Sequence, residues 1–110
     1  MPLHLIDSVS SGEISFFRTS KHVASIAWSD VESIGAFKRK DGEKEFVCVW
    51  VRTRSEEFPV EFDARDPKWD HFIAGIATEL AGSKPTGKWF PEPLHPSLEI
   101  NIQNVYRKQA

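Results

Sequence analysis

VESIGAFKRKDGEKEFVCVWVRT, residues 31–53, decides the fold. An Asp41-Gly42 pair stands between two β-prone runs. Glycine accepts positive φ and Asp tolerates it, so Lys40-Asp41-Gly42-Glu43 predicts a tight hairpin. Upstream, Val31–Lys38 puts Ile34 and Ala36 on one strand face and Phe37 on the other. Downstream, Glu45–Thr53 is apolar on both parities, with Phe46, Cys48 and Trp50 set against Val47, Val49 and Val51. That pattern predicts a strand covered on both faces or central in its sheet.

The neighbouring segments extend a β-meander. Glu13–Phe17 is short, β-prone and bounded by Gly12. His22–Trp28 follows, with Ala24, Ile26 and Trp28 on one face, and Ser29-Asp30 supplies turn chemistry. After the polar turn Thr53–Glu56, Phe58, Val60 and Phe62 alternate with Pro59, Glu61 and Asp63. Pro59 has no N–H to donate, which predicts an edge strand, and the alternation puts Glu61 and Asp63 on its solvent side.

The period then changes. Asp66-Pro67 reads as N-cap and first helical residue, and Trp69, Phe72, Ile73, Ile76, Ala77 and Leu80 form one stripe at helical spacing. With Gly82 as the terminating residue and Pro85 beyond it, an amphipathic helix is predicted over about 67–81. Gly75 weakens this helix by about 1 kcal/mol relative to Ala unless a strand approaches closely there. Further on, Trp89-Phe90 lies between Gly87 and the breakers Pro91, Pro93 and Pro96, and reads as a plug over one end of the core. For residues 97–107, Leu98, Ile102, Val105 and Tyr106 fit a second short helix begun by Pro96. The alternation of Leu98, Ile100 and Ile102 fits a strand equally well.

Composition bounds the function. At 110 residues, 40% hydrophobic, the chain is one domain (1–110, core about 12–107), large enough to hold a core without disulfides or a structural metal. The formal net charge of −2 gives no field for nucleic acid or an anionic membrane, and peripheral membrane contact is disfavoured on the same ground. The one dense basic run, Lys38-Arg39-Lys40, is followed by Asp41, Glu43 and Glu45. No run approaches the roughly 20 apolar residues of a membrane span, no leader pattern opens the chain, and the single Cys has no disulfide partner. The expected location is cytoplasmic.

Residue constellations for catalysis are missing. There is no G-x-S-x-G, Walker loop, H-E-x-x-H or C-x-x-C. Cys48, among Val and Trp, reads as a small buried hydrophobe rather than an activated thiol. His4, His22, His71 and His95 fall on separate elements. Asp63, Asp66, Asp70 and His71 are the nearest approach to a metal set, but adjacent Asp70 and His71 point about 100° apart on a helix. The 13 aromatic residues suit a large core, with Trp28, Trp50, Phe62, Trp69 and Phe72 on expected inward faces. No catalytic or metal-binding residue and no cofactor is assigned.

IAWSDVESIGAFKRK (Ile26–Lys40) resembles small bacterial domains with a pleckstrin-homology-like (PH-like, GRAM-like) half-barrel. DPKWDHFIAGIATELAG (Asp66–Gly82) resembles the helix that closes such a sheet. KWFPEPLHPSLEINIQNVYRK (Lys88–Lys108) is similar to the tails of short bacterial proteins with this order of segments. A full PH-like barrel has seven strands before its helix, whereas the segments read here give five, or six with Leu3–Val9. The expected fold is α+β, an antiparallel meander in a PH-like half-barrel closed by the helix at about 67–81, with a short C-terminal helix. The resemblance also implies a binding or scaffolding module. Arg18, Lys21 and His22 occupy the stretch where lipid-binding members carry their basic residues, too few to carry that activity over.

The expected function is therefore a non-catalytic domain that recognises a protein or peptide, for instance as a scaffold or a bacterial immunity-type protein. Contact would run through a sheet edge, with an unidentified protein or a second copy as partner. Lys38, Arg39, Lys40, Trp89 and Phe90 are the candidate interaction residues. The alternative is a module binding a small ligand or lipid headgroup between sheet and helix.

Overall fold

The computed structural model describes residues 4–42, 44–55, 59–84 and 103–108, with the backbone alone at 40, 41, 44, 45, 103 and 104. These residues form strands β1 Leu5–Val9, β2 Glu13–Thr19, β3 His22–Ala27, β4 Val31–Asp41, β5 Lys44–Thr53 and β6 Val60–Asp63, then helix α1 Trp69–Glu79, then β7 Gln103–Arg107. A 3-10 turn, Trp28–Asp30, links β3 to β4. All pairings are antiparallel, in two sheets ordered β1-β2-β3 and β6-β5-β4-β7. The fold is α+β, with seven strands rather than the expected five or six.

The β4–β5 hairpin forms where predicted. Asp41 pairs with Lys44, and Gly42 between them takes φ +67°, a conformation open to glycine at no steric cost. β5 lies inside its sheet, between β4 and β6, which is why both of its parities are apolar. Val47, Val49 and Val51 face the core opposite Lys38, Ala36 and Ile34. Trp50 does not face inward as expected. It sits on the outer face across from Gly35, where an added Cβ would come within 2.3 Å of the indole. Gly35 makes the seat that lets this ring lie flat on the sheet.

The core fills the space between the two sheets and α1. Ile6, Ile14, Phe16, Ile26 and Trp28 meet Val31, Ile34, Val49, Val51, Phe62 and the helix stripe Trp69, Phe72, Ile76 and Leu80. Ile6 therefore extends the core ahead of residue 12. Phe62 and Phe72 meet edge to face at 5.2 Å, and Trp28 stacks on Phe72 at 6.4 Å. Such ring pairs add attraction beyond burial alone.

α1 is two residues shorter at each end than the predicted 67–81, within the usual scatter of helix boundaries. The N-cap position is Lys68 and not Asp66, which instead shapes the turn before the helix, Oδ1 accepting from the Lys68 N–H at 2.9 Å, and reaches across the chain, Oδ2 accepting from the Ile6 N–H at 2.8 Å. Gly82, at φ +86°, turns the chain after the helix. Gly75 is explained by close approach. A Cβ there would lie 2.6 Å from the Trp28 ring and 3.2 Å from Val9.

The C-terminal helix expectation fails for residues 103–107, which are strand β7 paired to β4. The register shifts between Ile34, opposite Tyr106, and Gly35, opposite Asn104, so Val105 is an extra residue in the ladder. This bulge lets neighbouring Val105 and Tyr106 both pack on the core, imitating a helical stripe. Residues 97–102 and Phe58 lie outside the described residues.

β6 is an edge strand of its sheet, as Pro59 suggested, but all four of its residues are buried. Glu61 and Asp63 are each only 8% exposed, contrary to the solvent-facing expectation. Arg39, on β4, covers Glu61, a long-range effect that alternation within one strand does not encode, and Arg65, two residues on, turns back onto Asp63. The edge is itself occupied, since the His4 N–H donates to the Glu61 carbonyl at 2.9 Å and bridges the two sheets.

Candidate functional site

Lys38 and Arg39 do not share a basic patch. Lys38 lies opposite Val47 and Arg39 opposite Phe46, so their side chains leave β4 on opposite faces. Arg39 is held on the outer face by Glu61, with Nη2 3.1 and 3.3 Å from the two carboxylate oxygens. Lys40 is placed by its backbone in the ladder, opposite Glu45. Trp89 and Phe90 lie outside the described residues.

The Arg39–Glu61 pair belongs to a strip along the outer face of β4, β5 and β6. Beside it Arg65 pairs with Asp63 at 2.9 Å and lies over the Phe46 ring at 3.7 Å, a cation–π stack. Cys48 is buried across from Asp63. Burial pushes its thiol up to about 12, with Arg39 opposing and Asp63 and Glu61 reinforcing. The thiol stays protonated near neutral pH and is no nucleophile. The strip is a set of mutually satisfied charges that holds β6 down.

The possible metal set disperses. Asp63 is engaged by Arg65, and Asp66 by two backbone N–H groups, while Asp70 and His71 are exposed on α1. Among the described residues, no group of three or more His, Cys, Asp or Glu side chains could hold a metal ion. At the end of α1, a cleft of about 420 Å³ reaches Trp28, Glu79 and Lys108. Its strongest donors are already used, Trp28 Nε1 on the Ser10 carbonyl and Lys108 Nζ on the Ser29 carbonyl, both at 2.8 Å.

What remains is the free side of the three-stranded sheet. β3 pairs with β2 alone among the described strands, so one line of its backbone donors and acceptors has no strand beside it. The other three terminal edges each carry a bond: β1 through the Ile6 N–H, which donates to Asp66 Oδ2 at 2.8 Å, β6 through His4, and β7 through the Lys84 N–H, which donates to the Val105 carbonyl at 2.7 Å. β3, His22-Val-Ala-Ser-Ile-Ala, contains no Pro and no Lys, Arg, Asp or Glu. Its pairing with β2 is regular from Ala27 to Val23, with the one register shift near the turn. The usual devices that blunt an edge are missing from it.

The outer face next to that edge is apolar at one end. Leu5 lies opposite Phe17, and Phe17 opposite Val23, giving one row across three strands. Leu5 is 61% exposed and Val23 54%. A shallow depression of about 450 Å³ between Leu5, Phe17 and the Arg18–Ser20 turn continues this row. Ser8, Ser15 and Ser25 form the next row, small and uncharged. Leu5, Phe17 and Val23 were not among the residues the sequence singled out. Phe17 beside Phe16 was the available signal, since adjacent rings in one strand must face opposite ways.

No protein-family model, curated protein or solved structure matches the chain. No helix among the described residues is long and apolar enough to cross a membrane.

Proposed function

We propose that the chain is a non-catalytic interaction module that binds an extended protein segment by adding it as a strand to β3. The observation that carries this reading is the uncharged edge of β3, paired among the described strands by β2 alone, beside the row Leu5–Phe17–Val23 with Leu5 and Val23 exposed. Main-chain hydrogen bonds along such an edge supply affinity, and pockets for alternate side chains supply selectivity. The depression beside Phe17 is suited to one apolar side chain of the added segment. The resemblance to PH-like half-barrels agrees with a binding or scaffolding role. Packing of Phe16, Phe62, Phe72 and Trp28 into the space between sheets and helix favours a surface over an internal ligand site.

Selection from a displayed library of random peptides tests this. Enriched binders should be extended and apolar at alternate positions, should slow amide exchange over Val23–Ala27, and should be lost on Val23→Lys. Binders that protect the α1 cleft and leave β3 unaffected would refute the reading.

A further inference from the structure

We infer that the strand β3 receives is β3 of a second copy, antiparallel about a two-fold axis passing through Ser25. This rests on the strand-addition reading and names its partner. Side chains directly opposite each other in an antiparallel ladder share a face. A two-fold axis normal to the sheet must therefore pass through a residue rather than between two. Centred on Ser25, it sets Val23 against Ala27 of the second copy on the outer face. On the inner face it sets Ala24 against Ile26 of the second copy. Each pair joins a larger side chain to a small one, with no charge in the strand to oppose.

Charge selects this direction. The β2–β3 turn carries Arg18, Lys21 and His22, with only Thr19 and Ser20 between Arg18 and Lys21. The far end of the same edge carries Glu13 at the start of β2 and Asp30 and Glu32 just past β3, three acids against the cation of Lys108, whose Nζ donates to the Ser29 carbonyl. Antiparallel addition lays the basic turn of each copy beside the acidic end of the other, and the two-fold makes that match twice. Parallel addition would set base against base and acid against acid. In the Ser25 register His22 falls opposite Trp28, so Lys21 lies alongside the Trp28–Asp30 turn of the second copy. Two three-stranded sheets then become one of six strands, and the exposed rows of the two copies run on into each other.

Ser25 is exposed opposite Ser15, so a charge there is tolerated by the isolated fold. On the axis, however, it meets itself, and like charges directly opposite destabilise a pair. The full-length chain should show a concentration-dependent monomer–dimer equilibrium by sedimentation velocity, weakened by high salt. Ser25→Lys and Ser25→Glu should each shift it to monomer with unchanged circular dichroism, while an equimolar mixture of the two should dimerise again. Dimers that survive both substitutions, or monomers that stay apart when mixed, overturn the Ser25 register. A chain that is monomeric at every concentration yet binds selected peptides at Val23–Ala27 overturns self-pairing and leaves strand addition standing. If neither dimers nor peptide protection appear, both fall.

Discussion

Gly75→Ala sets two known effects against each other at one atom. Within a helix, Ala is favoured over Gly by about 1 kcal/mol, so an exposed Gly75 would gain stability from the change. Gly75 is buried, and the new Cβ would stand 2.6 and 3.0 Å from Trp28 ring carbons and 3.2 Å from Val9 Cγ1. Carbon atoms rest at about 3.5–4.0 Å, so the indole must retreat by roughly 1 Å. It is poorly free to do so, being 4% exposed, stacked on Phe72 and bonded through Nε1 to the Ser10 carbonyl at 2.8 Å. Overpacking of this kind costs about 1–3 kcal/mol, and stretching the indole hydrogen bond adds about 1 kcal/mol. The net expectation is a loss of about 1–3 kcal/mol after the helix gain is subtracted. Urea unfolding followed by circular dichroism measures it, with Ala77→Gly on the exposed face as the control for propensity alone. The loss should shrink when Trp28→Phe is combined with Gly75→Ala. A Gly75→Ala protein more stable than wild type would refute the packing account of this glycine.

Cys48 should resist alkylation in the folded protein at pH 8 and react on unfolding. Its thiol ionises near 9.0 in the open chain and near 12 when folded, so the folded state keeps its proton longer. Stability from this source is whole below pH 9 and falls as pH rises toward 12, and that portion of the alkaline decline should vanish in Cys48→Ala. Asp66→Ala removes the acceptor of both the Ile6 and Lys68 N–H groups, one of them across 60 residues. Losing the turn bond to Lys68 and leaving a buried donor unmet should cost about 2–4 kcal/mol in thermal unfolding, with amide exchange quickening first at Ile6.

Local chemistry made several elements legible. The Asp41-Gly42 hairpin, the two apolar parities of β5, the edge position of β6 and the body of α1 all follow from turn preference, period and the missing Pro59 donor. What escaped depended on partners distant in sequence. Val105 and Tyr106 read as a helix because a bulge opposite Ile34–Gly35 turns both inward. Glu61 read as solvated because Arg39 reaches it from another strand. Trp50 read as core because its seat, Gly35, lies on a different strand. The candidate site was hidden for the same reason. That β3 ends its sheet follows from strand order, and the row Leu5–Phe17–Val23 exists only once three strands are in register. Charge drew the sequence reading to Lys38–Lys40, where pairing sends Lys38 and Arg39 to opposite faces, and away from an edge distinguished by having almost none.

The clasp between the two sheets also sets an order of events during synthesis. Residues 5–27 are a meander whose strands pair only with sequence neighbours, contacts of the kind that form early. The groups that fasten its first strand, the Glu61 carbonyl and the Asp66 carboxylate, are translated later. For that interval the nascent sheet is bare along both flanks, and crowded polysomes would let neighbouring nascent chains meet at either. Arrival of Glu61 and Asp66 engages the β1 flank and leaves the other side of β3 with no described strand beside it.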